Sequence, residues 1–126
     1  MSTAITTKWS HLPNAVHIDR VIASVKSRPD QWGIAQNAVN DKDWNVAWDK
    51  ATADITNWVD VWDTVWNFVR NTVARDALLC LIAYDDCAYM LDSEVGELKI
   101  LAALGDHKAI LLLPACVALN AIKNSD

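Results

Sequence analysis

The side chains able to do chemistry gather in the second half of the chain. The run YDDCAYMLD, residues 84–92, sets Asp85 and Asp86 in an otherwise apolar stretch, with Tyr84 before them and Cys87 after. A buried carboxylate is costly unless it has a partner, solvent or a raised pKa. Two adjacent acids could bind a metal or divide acid–base work between them. Neighbours on a helix point about 100° apart, however, and do not converge by themselves. One acid paired with an arginine and the other facing water outweighs a site built on both. Arg70 and Arg75 are the only arginines after Arg28.

The tryptophans are the second feature. WVDVWDTVWNFVRN, residues 58–71, spaces Trp58, Trp62 and Trp66 four apart. Indoles in register could form a stacking platform for a base or another flat ligand. An aromatic stripe at helical spacing is more often a packed seam between helices. Seven Trp in 126 residues exceed what a core fillable with Leu requires, which points to a self-association surface or a pocket wall. The ligand-binding set that follows is Trp58, Trp62 and Trp66 as wall, with Arg70, Arg75, Tyr84 and Asp85 as polar groups.

Other constellations are absent. Cys80, Cys87 and Cys116 show no CxxC or Cys/His spacing and read as small buried hydrophobes in a reducing compartment. His11 and His17 are six apart, not a same-face metal spacing, and His107 follows a cap and reads as exposed. No GxSxG, phosphate-cradling glycine loop or HExxH occurs. The expectation is a non-enzyme with no catalytic residue, no metal and no cofactor.

Charge narrows the partners. The net −5 is the sum of +2 over residues 1–40, −6 over 41–92 and −1 over the remainder. An acidic chain is a poor binder of double-stranded nucleic acid, which demands phosphate neutralisation; a small basic cluster, Arg20 with KSRPD (26–30), reads as a solvated helix end. The longest apolar run, 109–119, contains Pro114 and is shorter than the ~20 residues a spanning helix needs. The N-terminus is polar, without a signal segment. A soluble, cytoplasmic protein with no membrane partner is expected.

The elements that must position these side chains are helices: Gly and Pro number only three each against 52% hydrophobic residues. Residues 1–12 read as a flexible arm and 13–126 as one all-helical domain. Ala15, Ile18, Ile22 and Val25 make an apolar stripe that Arg28-Pro29 ends. Asp30 can cap a short helix with Trp32, Ala35 and Val39, and NDKD (40–43) breaks the chain again. From Trp44 to Leu91 the apolar positions stay within about 80° on a helical wheel. Neither Pro nor Gly lies in this stretch. One helix over it would be ~72 Å long, with weak points at KATADIT (50–56) and NTVARD (71–76). The Val series 61, 65, 69, 73 and the Trp series together span an arc of roughly 160°, wide enough to touch two neighbours. Gly105 and Asp106 divide a C-terminal hairpin, 93–104 and 107–123. The expectation is an all-α bundle built on one long Trp-rich helix, assembled as a homo-oligomer.

Residues 44–113, with their tetrads VWDT, VWNF, VRNT and VARD followed by the DDC segment, resemble small uncharacterised bacterial and phage proteins that carry Ala/Trp/Asp/Arg tetrad-repeat helices. The resemblance implies a phage setting, with action in the host cytoplasm by binding a host factor or a signalling nucleotide. The leading expectation is therefore a non-catalytic protein that sequesters an aromatic or nucleotide-like small molecule as an anti-defence sponge. The alternative is a structural module docking a host or virion protein through its Trp stripe. An enzyme using Asp85 or Asp86 with a metal ranks third.

Overall fold

The computed structural model describes residues 9–54, 59–70 and 72–125, with backbone alone for Val59, Asp60, Trp62, Thr72 and Ser125. Among them are seven α-helices, two short 3₁₀ turns and no strand. The helices are α1 (Ala15–Ser27), α2 (Pro29–Ala35), α3 (Asp41–Asp54), α4 (Val59–Phe68), α5 (Thr72–Ala83), α6 (Val95–Ala103) and α7 (His107–Ser125). The 3₁₀ turns are Gln36–Ala38 and Ala88–Asp92. The all-α class holds, and no helix is long and apolar enough to cross a membrane among the described residues.

The long Trp-rich helix is corrected. Val69 and Arg70 lie outside any helix, beside the Thr- and Asn-containing weak point at 71–76. A second interruption at Tyr84–Cys87 ends α5 before the DDC segment. The apolar positions keep phase because each shorter helix turns its own stripe to one shared core, which periodicity alone cannot distinguish from a continuous helix.

The centre of the molecule is α7, which packs on α2, α3, α5, α6 and both 3₁₀ turns. Ala109, Leu111, Leu112, Ala115, Cys116 and Ala118 are fully buried along it, and the helix continues through Pro114. α6 and α7 form the expected hairpin. Gly105 N–H donates to Ala102 O at 3.0 Å and Asp106 N–H to Leu101 O at 3.1 Å, a Schellman ending that needs the left-handed φ of +91° at Gly105. Asp106 Oδ1 then accepts the N–H groups of Lys108 and Ala109, capping α7.

Residues 9–12, expected in a flexible arm, form a turn instead. Trp9 is fully buried, its Nε1–H donates to Asp19 Oδ1 at 3.0 Å, and its ring meets Phe68 edge-on at 6.3 Å. Residues 1–8 lie outside the described residues. Among the described residues Trp32 is the other wholly buried indole, donating to Ser24 Oγ. The Val series 61, 65, 69 and 73 is buried throughout, so on α4 the valines lie deeper than Trp66, which is half-buried.

Candidate functional site

Asn40 starts the local structure that carries the site. Its Oδ1 accepts Asp43 N–H at 2.9 Å while its Nδ2 donates to Asp43 Oδ2 at 2.8 Å, a reciprocal cap that launches α3. One turn in, Trp44 and Trp48 stack at 5.3 Å with planes 19° apart. The Arg75 guanidinium, from α5, lies 5.7 Å from the Trp44 ring, 4.9 Å from Trp48 and 5.6 Å from Trp66. Three helices thus converge on one cation, each contact worth about 0.5–2 kcal/mol depending on desolvation.

Beside it, Asp76 is only 4% exposed. Burial pushes its carboxyl up to about 7, against the pull of the Trp44 indole and the Arg75 charge. Arg75 and Asp76 are chain neighbours on a helix, so their side chains diverge. Arg75 Nε stands 4.0 Å from Asp76 Oδ1, an ion-pair distance too long for a hydrogen bond. Trp44 Nε1, Arg75 Nε and Asp76 Oδ1 are buried without a partner at full hydrogen-bond geometry among the described residues, although the Trp44 indole and the Arg75 charge both lie close enough to Asp76 to favour its anion. Buried polar groups are nearly always paired, so three loosely partnered polar atoms around one buried carboxylate set this place apart from the apolar core. They line a cleft of about 380 Å³ with Val39, Val73 and Pro114 as apolar wall and Gln36, Asn37 and Asp41 at the rim. That volume suits a small organic ligand.

A larger cleft, about 490 Å³, lies between the turn before the second 3₁₀ segment and the α6–α7 hairpin. Several of its polar groups are partnered within the protein. Lys108 Nζ pairs with Asp86 at 3.2 Å, Asp106 caps α7, and His107 Nε2 is 2.6 Å from Tyr84 Oη. Tyr84 Oη also lies 2.5 Å from Asp54 Oδ2. A carboxylate only accepts, so the phenol donates to Asp54 and receives the Nε2–H of His107, which fixes the histidine tautomer. Burial first, then Asp54, raises the Tyr84 pKa, and burial first, then Lys50, lowers that of His107. This cluster ties the ends of α3 and α5 to the start of α7.

Of the residues the sequence nominated, Arg75 lines the smaller cleft, and Trp66 meets its guanidinium at 5.6 Å without lining the cleft itself. Trp58 and the side chain of Trp62 lie outside the described residues. Arg70 is exposed beside the end of α4 and Asp85 is exposed in the 84–87 turn, while Tyr84 serves the Asp54–His107 cluster; none of these three lines the site. The acids of the DDC segment interrupt an apolar run because the chain turns there, and Asp86 takes a lysine partner where an arginine was expected. His107, expected to be exposed, is half-buried. Sequence reasoning left out Asp76 although a signal was present: it sits between Val73 and Cys80 at helical spacing, a carboxylate on a buried stripe. No protein-family model, curated protein or solved structure matches the chain.

Proposed function

We propose that the protein is a non-catalytic binder of a small aromatic, nucleotide-like molecule, seated at Trp44, Arg75 and Asp76. The supporting observation is the trio of buried, loosely partnered polar atoms on one cleft. Trp44 Nε1–H and Arg75 Nε–H are donors; Asp76 Oδ1 accepts, or donates when protonated. A lactam or amide edge, as on a nucleobase, offers the complement: a carbonyl for the two donors and an N–H for the carboxylate. Arg75 is the sole cation among the described residues lining the cleft, which Asp41 and Asp76 line as well, so the heterocycle fits it better than a phosphate does. Sequestration of a host signalling nucleotide by a phage-encoded protein is the biological form of this reading, and it draws on the tetrad-repeat resemblance.

Isothermal titration and thermal shift with nucleobases, nucleosides and nucleotides test it. A ligand bound only by the folded chain raises Tm. The expected result is binding whose affinity falls at least about tenfold in Asp76→Asn, the loss of roughly one hydrogen bond to a charged group. No shift across the panel would reject the reading.

A second reading is docking of a host or virion protein, or of another copy of the chain. It draws on Tyr89, Ile100 and Leu104, which are 62%, 65% and 78% exposed; Ile100 and Leu104 stand one turn apart. This places the contact on the α6 face in place of the Trp stripe, of which Trp44, Trp48 and Trp66 are engaged with Arg75. Sedimentation of the wild type against Ile100→Glu/Leu104→Glu tests it: a homo-oligomer that the double variant dissociates is the supporting outcome, and an unchanged monomer removes the homo-oligomeric form.

A further inference from the structure

Cys80 and Cys87 are both fully buried free thiols, and their sulfurs are 3.4 Å apart, with the Cys80 S–H directed at Cys87 Sγ. Cys80 lies in the last turn of α5, while Cys87 closes the Tyr84–Cys87 turn and belongs to no helix. Cys87 Sγ also reaches the carbonyls of Cys80 at 3.3 Å and Tyr84 at 3.6 Å. Two cysteines serving only as core filler have no reason to aim sulfur at sulfur. The third thiol behaves differently: Cys116 Sγ faces Ser93 O at 3.0 Å and Asn120 Nδ2 at 3.4 Å, and no sulfur is among these partners.

We propose that Cys80 and Cys87 are an oxidisable dithiol that closes to an intrachain disulfide when the protein meets a peroxide. The inference is independent of the ligand reading. A disulfide needs the sulfurs at ~2.05 Å, so they must approach by more than about 1 Å. Cys87 can supply that movement, because it lies outside α5 and anchors the following 3₁₀ turn through its carbonyl, which accepts Met90 N–H at 3.0 Å. The exposed Asp85 and Asp86 in the same turn place it where local opening admits a molecule as small as hydrogen peroxide. On opening, the Cys87 thiol gives up its proton, and its sulfur attacks one peroxide oxygen. The O–O bond breaks, releasing one water and leaving a sulfenic acid. The Cys80 sulfur then attacks Cys87 sulfur, an S–S bond forms as the S–O bond breaks, and the hydroxyl leaves with the Cys80 proton as a second water. Two thiols are oxidised by two electrons and one peroxide is reduced. The product staples the Tyr84–Cys87 turn to the helix it follows.

The test uses the whole reduced chain, exposed to hydrogen peroxide under native conditions, quenched with catalase, denatured and alkylated. Trypsin cutting after Arg75 and after Lys99 puts both cysteines on one peptide, 76–99, and leaves Cys116 on another. The expected result is a 76–99 peptide lighter by two hydrogens and closed to alkylation, restored by dithiothreitol, with Cys116 still free. A chain oxidised in denaturant should instead give mixed pairings that include Cys116. The proposal is overturned if native 76–99 keeps two alkylatable thiols, if it gains oxygen without losing the two hydrogens, or if native oxidation pairs Cys116 as readily as the denatured reaction does. Cys87→Ala should leave both remaining thiols alkylatable at the same dose; their loss would also overturn it.

Discussion

Asp76 occupies a stripe position that Val73 and Cys80 fill with apolar groups, and the protein tolerates it by keeping a proton nearby. Its pKa rises from 3.8 to about 7 because burial penalises the anion. Between those values the folded chain holds a proton that the unfolded chain has released, so stability falls as pH rises and levels off above about pH 7. The full shift corresponds to on the order of 4 kcal/mol. Asp92 and Asp30 act in the opposite sense, since the first is drawn below its usual value by Arg20 and the second by Arg28. Their stabilisation is lost at lower pH, and both are too exposed to mask the trend; His107, whose pKa burial lowers, also loses stabilisation as pH falls, and that contribution is common to the wild type and the Asp76 variant. Asp76→Asn, which keeps shape and removes the charge, should therefore raise the unfolding free energy at pH 8 and flatten its dependence between pH 4 and 7. Urea titrations of both proteins across that range measure it; parallel curves would mean that Asp76 is ionised and well solvated. Under the proposed function, a bound ligand's donors would recover what the fold leaves loosely paired at Asp76.

At the level of elements, the helix ends do more than stop helices. The Asn14 side chain, buried at the start of α1, donates to the carbonyls of Leu81 at 3.1 Å and Tyr84 at 2.5 Å. Leu81 O belongs to the last turn of α5, where carbonyls lack an intrahelical donor, and Tyr84 O directly follows the helix. One amide thus joins the beginning of α1 to the end of α5 and fixes where the following turn departs. Asn14→Ala should cost about 1–3 kcal/mol, since it strands buried acceptors, and should speed exchange of the amides at 84–87. Equilibrium unfolding with hydrogen exchange checks this, and a loss below about 0.5 kcal/mol would show that water replaces the amide. Signals of this long-range kind are invisible to a local reading. Pro29, Asn40, Gly105 and Asp106 could be read in advance because each acts on its own helix through backbone φ or a neighbouring N–H. The turn at 84–87 has neither Gly nor Pro, and what ends α5 is an Asn 67 and 70 residues away in sequence. The site was half legible for the same reason. Trp66 and Arg75 stood out by type, whereas Trp44, Trp48 and Asp76 joined them only once α3 was folded against α5.

Across the whole molecule, the tryptophans drew the sequence reading to the wrong centre. The Trp-bearing α4 packs mainly on α5, while the least decorated stretch, Ala109–Ala118, forms the axis on which most other elements rest. An indole can be half-buried and still contribute through its face, as Trp44, Trp48 and Trp66 do around Arg75, so aromatic content marks contact area without marking depth. Plain aliphatic residues on α7 have no alternative to burial. The stability of the molecule should follow the same gradient. Leu112→Ala, at a fully buried position of α7, should lower the unfolding free energy by about 2–5 kcal/mol and act globally. Val61→Ala on α4, at a position 8% exposed, should lower it by less than half as much. In native-state hydrogen exchange the α7 amides should report the global unfolding free energy, whereas those of α4 should exchange through a smaller opening that leaves α7 protected. Equal protection of the two helices, or a Val61→Ala loss as large as that of Leu112→Ala, would return the Trp-rich segment to the centre of the fold. It would also tie the Arg75 site to the global core, whereas the packing places one of its three indoles on α4, the helix expected to open first.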